Sequence, residues 1–363
     1  MASNRFGRFY TFSSFGESHG KAIGGVIDGC PAGLKLSIDL IQNDLDLRKP
    51  GKKLTSPRKE LDQVEILSGL IDGYTTGAPI GFIIKNEDQK KESYQTIQNL
   101  YRPGHANYTY LEKYGHFDAF GGGRASARET IVRVVAGSIA KQALKKFAIE
   151  TLAFVRQIGD IKSTQEAQGN ISDLTALRNK SPIFSIDAYQ EPLMIQCVEK
   201  VEQNGDSIGG VVEVMTSYLP VGLGDPIYDK LESWLAFGML SIPGTKGFSM
   251  GLGFDGVAIL GSQYHDQMQM HDGAIQFLSN QAGGTLGGIS NGLPIRFQVA
   301  FKPTSSIKKP LSTVSIDLQD HLISQPISSR HDPCIAIRGT IVVEAMTNCV
   351  LLDCLLANRV VKL

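Results

Sequence analysis

The order of apolar patterns constrains this chain more than any other feature: strand-like and helix-like segments follow one another irregularly. Runs rich in Val, Ile and Phe, bounded by Gly or Pro, predict strands over Arg8 to Ser13, Ala22 to Asp28, Pro79 to Lys85, Gly210 to Thr216, Gly256 to Leu260 and Pro294 to Lys302. Helical spacing predicts a helix capped by Ser37 that runs through Ile38, Ile41 and Leu45 and stops before Pro50. Ser126 followed by Glu129 reads as a capping box that opens a long apolar helix through Ile131, Val135, Ile139 and Leu144. Further helices are expected from Ile227 through Leu231, Trp234 and Leu235 until Pro243, and from Val342 to Val360. A doubly wound parallel sheet needs regular alternation of strand and helix. The expected fold class is therefore α+β, with antiparallel sheets packed on helices. No repeat or low-complexity linker divides the chain, so residues 1–363 are expected to form one domain.

Composition narrows the function classes. Lys plus Arg and Asp plus Glu are both 36, and this neutrality argues against a general nucleic-acid binder, which needs a basic excess. No apolar run is expected to approach the roughly 20 residues of a membrane span, and Met1 to Arg5 does not lead into the apolar region of a signal peptide. Cys30, Cys197, Cys334, Cys349 and Cys354 are odd in number and lack a CxxC pair. That favours buried free thiols in a reducing cytoplasm over a disulfide framework or zinc knuckle. His19, His105, His116, His265, His271, His321 and His331 show no HExxH or comparable spacing, so no metal is expected. Gly supplies 39 of 363 residues, well above the roughly 7 % of an average chain, and many of them fall in polar clusters.

The first cluster, GESHG at Gly16–Gly20, matches the serine-hydrolase pattern G-x-S-x-G. Only 15 residues precede it and strand-like sequence follows, so the strand-to-helix elbow of a hydrolase is missing. What remains is a Ser18–His19 pair in a glycine-flanked turn, where an imidazole can act as acid or base. Arg102-Pro103-Gly104-His105 sets a cation and an imidazole on a type II turn. Gly121 to Arg128 places three glycines and two arginines at the start of a capped helix. Arginine opposes the dipole there, so Arg124 and Arg128 favour an anion site. Gln281 to Gly292 is glycine-rich and too long and polar to read as one hairpin turn, while Lys302 to Ser306 offers an ammonium and three hydroxyls to a phosphate. Neither piece fits a P-loop or a dinucleotide fingerprint. Arg330-His331-Asp332-Pro333 closes the series.

Taken together, FGESHG at Phe15–Gly20, RPGHA at Arg102–Ala106, GGGRASARET at Gly121–Thr130, AGGTLGGIS at Ala282–Ser290, KPTSS at Lys302–Ser306 and RHDPC at Arg330–Cys334 resemble the chorismate synthase family. Their order and separations match, and the resemblance covers nearly the whole chain. It implies an anti 1,4-elimination of phosphate from 5-enolpyruvylshikimate 3-phosphate to give chorismate, the last step of the shikimate pathway. It also implies dependence on reduced FMN, and a homotetramer of β-α-β sandwich subunits.

A substrate with two carboxylates and a phosphate needs a cationic pocket, since charge-assisted pairs are roughly twice as strong as neutral hydrogen bonds. The resemblance points to Arg48, Arg102, Arg128 and Arg330 as substrate clamps, with Ser126 beside them. His19 is the candidate acid at the departing phosphate. His105 is the imidazole at the reduced flavin, and Asp332 the acceptor of a flavin proton. FMN is expected on Arg124, Ala125, Ser126, Pro243, Gly244, Gly287, Lys302, Pro303, Thr304, Ser305, Ser306 and Arg330. Arg48 and Lys53 are candidates for contact with either NADPH, a reductant in some family members, or the substrate. Two positions depart from the family: many relatives read Asn-Ala or Pro-Ala at 243–244 and Ser at 125. Pro243-Gly244 therefore offers backbone alone, and Ala125 lacks a hydroxyl. A non-catalytic flavin- or anion-binding regulator would need the cationic pieces but not His19, His105 and Asp332 together.

Overall fold

Alternating burial along short strands builds two antiparallel sheets of five strands each in the computed structural model, which describes residues 3–51, 53–57, 60–87, 98–119, 122–323, 331–359 and 361. The first sheet holds β1 (Arg5–Phe6), β2 (Thr11–Gly16), β3 (Ala22–Asp28), β4 (Val64–Ile66) and β5 (Ile80–Lys85), in the spatial order β1-β2-β3-β5-β4. The second holds β6 (Thr151–Ile158), β7 (Ile161–Lys162), β8 (Gly210–Tyr218), β9 (Thr245–Met250) and β10 (Pro294–Phe301), in the order β9-β10-β8-β6-β7. The helices are α1 (Ile38–Arg48), α2 (Asn107–Tyr114), α3 (Thr130–Leu144), α4 (Ile171–Lys180), α5 (Glu191–Gln203), α6 (Leu231–Leu240) and α7 (Ile335–Asn358).

Helices α3 and α7 are buried on nearly every face, as expected for helices enclosed by other layers. One core cluster runs from Ile23, Ile27 and Phe82 of the first sheet through Val135 and Ile139 of α3 and Val343 and Met346 of α7 to Val212 and Val299 of the second. At the crossing of α3 and α7 the backbones meet: a Cβ on Gly137 would lie 2.4 Å from Ala345 Cα. The residue is glycine because no side chain fits. Asp353 of α7 accepts the backbone N–H groups of Arg8, Phe9 and Tyr10 at 2.8, 2.6 and 2.9 Å, which pins the β1–β2 link to the core helix.

The predicted α+β class with antiparallel sheets is what the chain adopts, and β3 runs from Ala22 to Asp28 as read. Other boundaries move. The strand predicted from Arg8 begins at Thr11, because residues 8–10 give their N–H groups to Asp353 rather than to a ladder. The strand predicted over Gly256 to Leu260 is instead a 3₁₀ turn, Gly253–Ala258. Helix α6 starts at Leu231, since Ile227 has φ +70°. Helix α7 starts seven residues before Val342, and by length and composition it could cross a membrane, contrary to the reading of the apolar runs. With 89 % of its most apolar stretch buried inside the protein, it serves as a core helix. The glycine-rich piece at 281–292 does contain a hairpin: Thr285–Leu286 pairs with Ile289–Ser290 across Gly287 and Gly288, both at positive φ.

Candidate active site

A cavity of about 1050 Å³ gathers the ends of several elements. Helix α1 delivers Arg48 in its last turn, the segment before α3 delivers Arg124 to Arg128, and α7 delivers Arg338. The loop after β10 contributes Lys302 to Ser306, and the α6–β9 link contributes Pro243 and Gly244. Six cations line it (Arg48, Arg102, Arg124, Arg128, Lys302, Arg338) against four carboxylates (Glu17, Glu60, Asp118, Asp332), so the described wall carries excess positive charge.

The capping at α3 differs from the box read in the sequence. Ser126 Oγ accepts the Arg128 N–H at 3.3 Å, but a 3₁₀ turn, Ala127–Glu129, intervenes before α3. Glu129 reaches Arg133 Nε at 3.0 Å instead of the Ser126 backbone. That turn aims Arg128 inward. Its Nη1 donates to Asp62 Oδ1 at 2.9 Å, and Arg48 Nη2 donates to Asp62 Oδ2 at 2.6 Å, so one carboxylate holds two arginines. Burial pushes the Asp62 carboxyl up, but Arg48 and Arg128 outweigh it and hold it below the usual carboxylate range. Burial, Arg338 and Arg128 together lower Arg48 to about 10, despite the attraction of Asp62; it stays charged at neutral pH. Arg48 Nε is buried without a hydrogen-bond partner among the described residues, while Arg128 Nη2 forms an ion pair with Glu60 Oε2 at 3.3 Å.

The Arg102–His105 turn forms as predicted, with the His105 N–H on Arg102 O at 3.0 Å and Gly104 at φ +75°. Lys302 Nζ and Ser305 Oγ both donate to Gly104 O, at 3.0 and 2.7 Å, which fastens this turn to the 302–306 loop. His105 Nε2 lies 3.0 Å from Ser306 Oγ. Burial and the cations Arg102, His331 and Lys302 push His105 down to about 3, so its imidazole is neutral at pH 7. Lys302 Nζ also donates to Ser305 Oγ at 2.6 Å, and Thr304 Oγ1 is buried with no partner among the described residues. Asp332 Oδ1 accepts the Ser56 N–H at 2.9 Å and Oδ2 accepts Arg338 Nη1 at 2.7 Å. Both of its oxygens are thus engaged.

Of the residues selected from sequence, Arg48, Arg102, His105, Arg124, Ala125, Ser126, Arg128, Pro243, Gly244, Lys302, Pro303, Thr304, Ser305, Ser306 and Asp332 meet at this cavity. His19 is buried and does not line the cavity; its Nδ1 is 3.0 Å from Ser18 Oγ, in a turn whose Glu17 does line it. Gly287 occupies its hairpin tip and Lys53 pairs with Glu199 at 3.0 Å; neither lines the cavity. Arg330 lies outside the described residues. Sequence reasoning missed Asp62, Glu60 and Arg338. Nothing local marks the two acids, which sit in an unpatterned loop. Arg338 was recoverable in principle, as the cation one helical turn into α7 had that helix been started at Ile335.

A family model described as chorismate synthase matches residues 10–356. The chain is 48 % identical to the chorismate synthase of Protochlamydia amoebophila over the whole of both chains. It is 48 % identical to that of Porphyromonas gingivalis, covering 98 % of this chain and 96 % of the relative. It is similar to a crystal structure of chorismate synthase at a TM-score of 0.76 and 30 % identity, over 97 % of this chain and 93 % of the other. With residues from five of the six motifs at one cationic cavity and a match along its entire length, this chain belongs to the chorismate synthase family.

Proposed function

We propose that this cavity is where the family's reaction takes place and that its charge is matched to the substrate. The reaction removes phosphate and a ring proton from 5-enolpyruvylshikimate 3-phosphate to form chorismate, the final step of the shikimate pathway, which makes the chain a lyase. The observation that carries the assignment of the site is the excess of buried or half-buried guanidinium groups over carboxylates on one wall. Arg102 and Arg128 would bind the two carboxylates and the phosphate. Arg48, whose Nη2 is committed to Asp62, adds positive potential from behind. Ser126 keeps the arginine-bearing turn in place through its cap.

As the C–O bond breaks, charge builds on the departing phosphate oxygen, and His19 holds the proton that neutralises it. Proton transfer of this kind contributes about 10²- to 10⁴-fold. FMN fits the 302–306 loop and the 243–244 link: the orphaned Thr304 hydroxyl, Ser306 and the Lys302 ammonium together suit a phosphate group. Arg124, Ala125 and Ser126 would hold the other side of the cofactor. When bound and reduced, FMN supplies electron density and a basic nitrogen for the ring proton. His105, neutral and held by Ser306, can take up a proton when anions raise its pKa, and Asp332 is a carboxylate oriented by Ser56 and Arg338 to receive one. NADPH at Arg48 and Lys53, a homotetrameric assembly and a cytoplasmic location complete the reading.

The test is an anaerobic assay with chemically reduced FMN, following chorismate absorbance, repeated aerobically with NADPH. Chorismate should form in the first arm, and its absence there would sink the reading. Activity in the second arm as well would add a flavin-reducing step of the chain's own. His19→Ala and His105→Ala should each lower turnover by about 10²- to 10⁴-fold while FMN still binds, and full activity in either would remove that assignment.

A further inference from the structure

The Asn86 side chain ties the turn that carries His19 to the Arg128 guanidinium. Asn86 follows β5 directly and is half-buried. Its Nδ2 donates to Glu17 O at 3.0 Å and to Gly20 O at 2.7 Å, the two ends of the turn that carries Ser18 and His19. Its Oδ1 accepts Arg128 Nε at 2.5 Å, and its backbone N–H donates to Lys21 O at 3.2 Å. The amide orientation is fixed by its partners: a guanidinium only donates and a carbonyl only accepts, so a flipped amide would lose every side-chain contact.

We propose that Asn86 is a positioning residue that fixes the His19 turn against Arg128. The proposal rests on the reading of His19 as the proton-bearing group at the departing phosphate. Within the Glu17–Gly20 turn the Gly20 N–H donates to Glu17 O at 3.0 Å, and the two bonds from the Asn86 amide tie both ends of that turn to one side chain. Arg128 is held in turn by Asp62, which makes the link from the substrate-binding cation to the turn continuous. Displacing a reacting group by about 1 Å costs on the order of 10²-fold in rate, and Asn86 controls that displacement for His19 without touching the substrate.

Two variants separate the donor and acceptor halves of the amide. Asn86→Ala removes both. Asn86→Asp keeps the shape and the acceptor for Arg128 but turns an oxygen toward the carbonyls of Glu17 and Gly20, which releases the turn. Both should lower kcat by about 10²-fold with KM changed far less, in the anaerobic assay with reduced FMN. In a His19→Ala background the same Asn86→Ala change should cost less than about threefold, because the residues act as a unit. In protein labelled with ¹⁵N-histidine, Asn86→Asp should move the His19 ring resonances and leave those of His105 in place. Unmoved His19 resonances, or an Asn86→Ala loss undiminished in the His19→Ala background, would overturn the proposal. Full activity of His19→Ala would instead remove the reading of His19, while the resonance shift would still decide whether Asn86 positions the turn.

Discussion

Two buried ionic clusters lie along the central helices, and they are built differently. In the core, Glu344 of α7 pairs with Arg178 of α4 and, at 3.1 Å, with Lys141 of α3, and it accepts the Ala153 N–H at 3.1 Å. Lys141 also reaches Asp44 at 3.3 Å, and Arg178 donates to Ala153 O at 3.0 Å. Two cations meet two carboxylates, and none of the four side chains has a buried polar atom without a hydrogen-bond partner. Burial pushes the Glu344 carboxyl up, but Arg178, Lys141 and the Ala153 N–H outweigh it and hold it below its ordinary range. At the cavity, Asp62 serves both Arg48 and Arg128, Glu60 pairs with Arg128 Nη2 at 3.3 Å, and Arg48 Nε is buried without a hydrogen-bond partner among the described residues. A closed network serves the fold. An open one, which lines a cavity and keeps an Arg48 donor without a partner among the described residues, is prepared for an anion.

The largest test of this contrast is Glu344→Ala. It leaves Arg178 without its carboxylate in the core and Lys141 with Asp44 alone, and removing one partner of a buried pair costs about 3–5 kcal/mol. Urea denaturation should read that loss, and added inorganic phosphate should not restore it, because none of the network's residues lines the cationic cavity. Asp62→Asn is the counterpart. It removes a carboxylate from between two arginines and should cost about 1–3 kcal/mol, in the range for hydrogen bonds to charged groups. Here millimolar phosphate should recover stability by mass action, since the freed guanidinium groups face the cavity. Equal phosphate responses in the two variants would erase the distinction between closed and open clusters.

The same contrast explains what the sequence could reveal. Arg124, Arg128 and Lys302 to Ser306 stand beside glycines or caps, and a cation or hydroxyl next to a glycine-rich turn is a local signal of an anion site. Antiparallel α+β architecture was legible for a similar reason, because strand periodicity is written in consecutive residues. Asp62, Asn86 and Arg338 carry no such mark. They act through partners 66, 42 and 6 residues away, and only folding brings them together. The boundary errors have the same origin. Residues 8–10 read as strand because Phe9 and Tyr10 continue into the run at Thr11 and Phe12, but a carboxylate of α7 takes their N–H groups. The start of α7 was missed because its first turns are buried on all sides and show no amphipathic period.

His105 provides a prediction in pH. Its pKa of about 3 in the folded chain lies below the roughly 6.5 of an unfolded histidine. The unfolded state therefore binds the extra proton first as pH falls, and stability is lost progressively from about pH 6.5 toward pH 3. The slope from this one group is about 1.4 kcal/mol per pH unit. His105→Asn should remove that slope from the ligand-free protein, as measured by urea midpoints across the window. An unchanged pH profile would show that burial, with Arg102, His331 and Lys302, does not hold the imidazole neutral.

The smallest effect expected is the most selective, because its sign reverses between the two states of the site. Thr304 Oγ1 is buried and without a partner among the described residues, so in the ligand-free chain it carries a desolvation cost that nothing offsets. Thr304→Val keeps the shape and replaces that hydroxyl with a methyl group. The ligand-free protein should gain about 1 kcal/mol in thermal or urea unfolding. If the hydroxyl is there for the cofactor phosphate, FMN affinity should fall by about fivefold to tenfold, one ordinary hydrogen bond. A comparable change in the closed cluster has no such double outcome, since Glu344 already spends both of its oxygens on partners within the fold. Calorimetric titration with FMN, beside unfolding without it, measures both signs. A variant that is both less stable and unimpaired in FMN binding would make Thr304 a structural residue and remove the phosphate from the 302–306 loop.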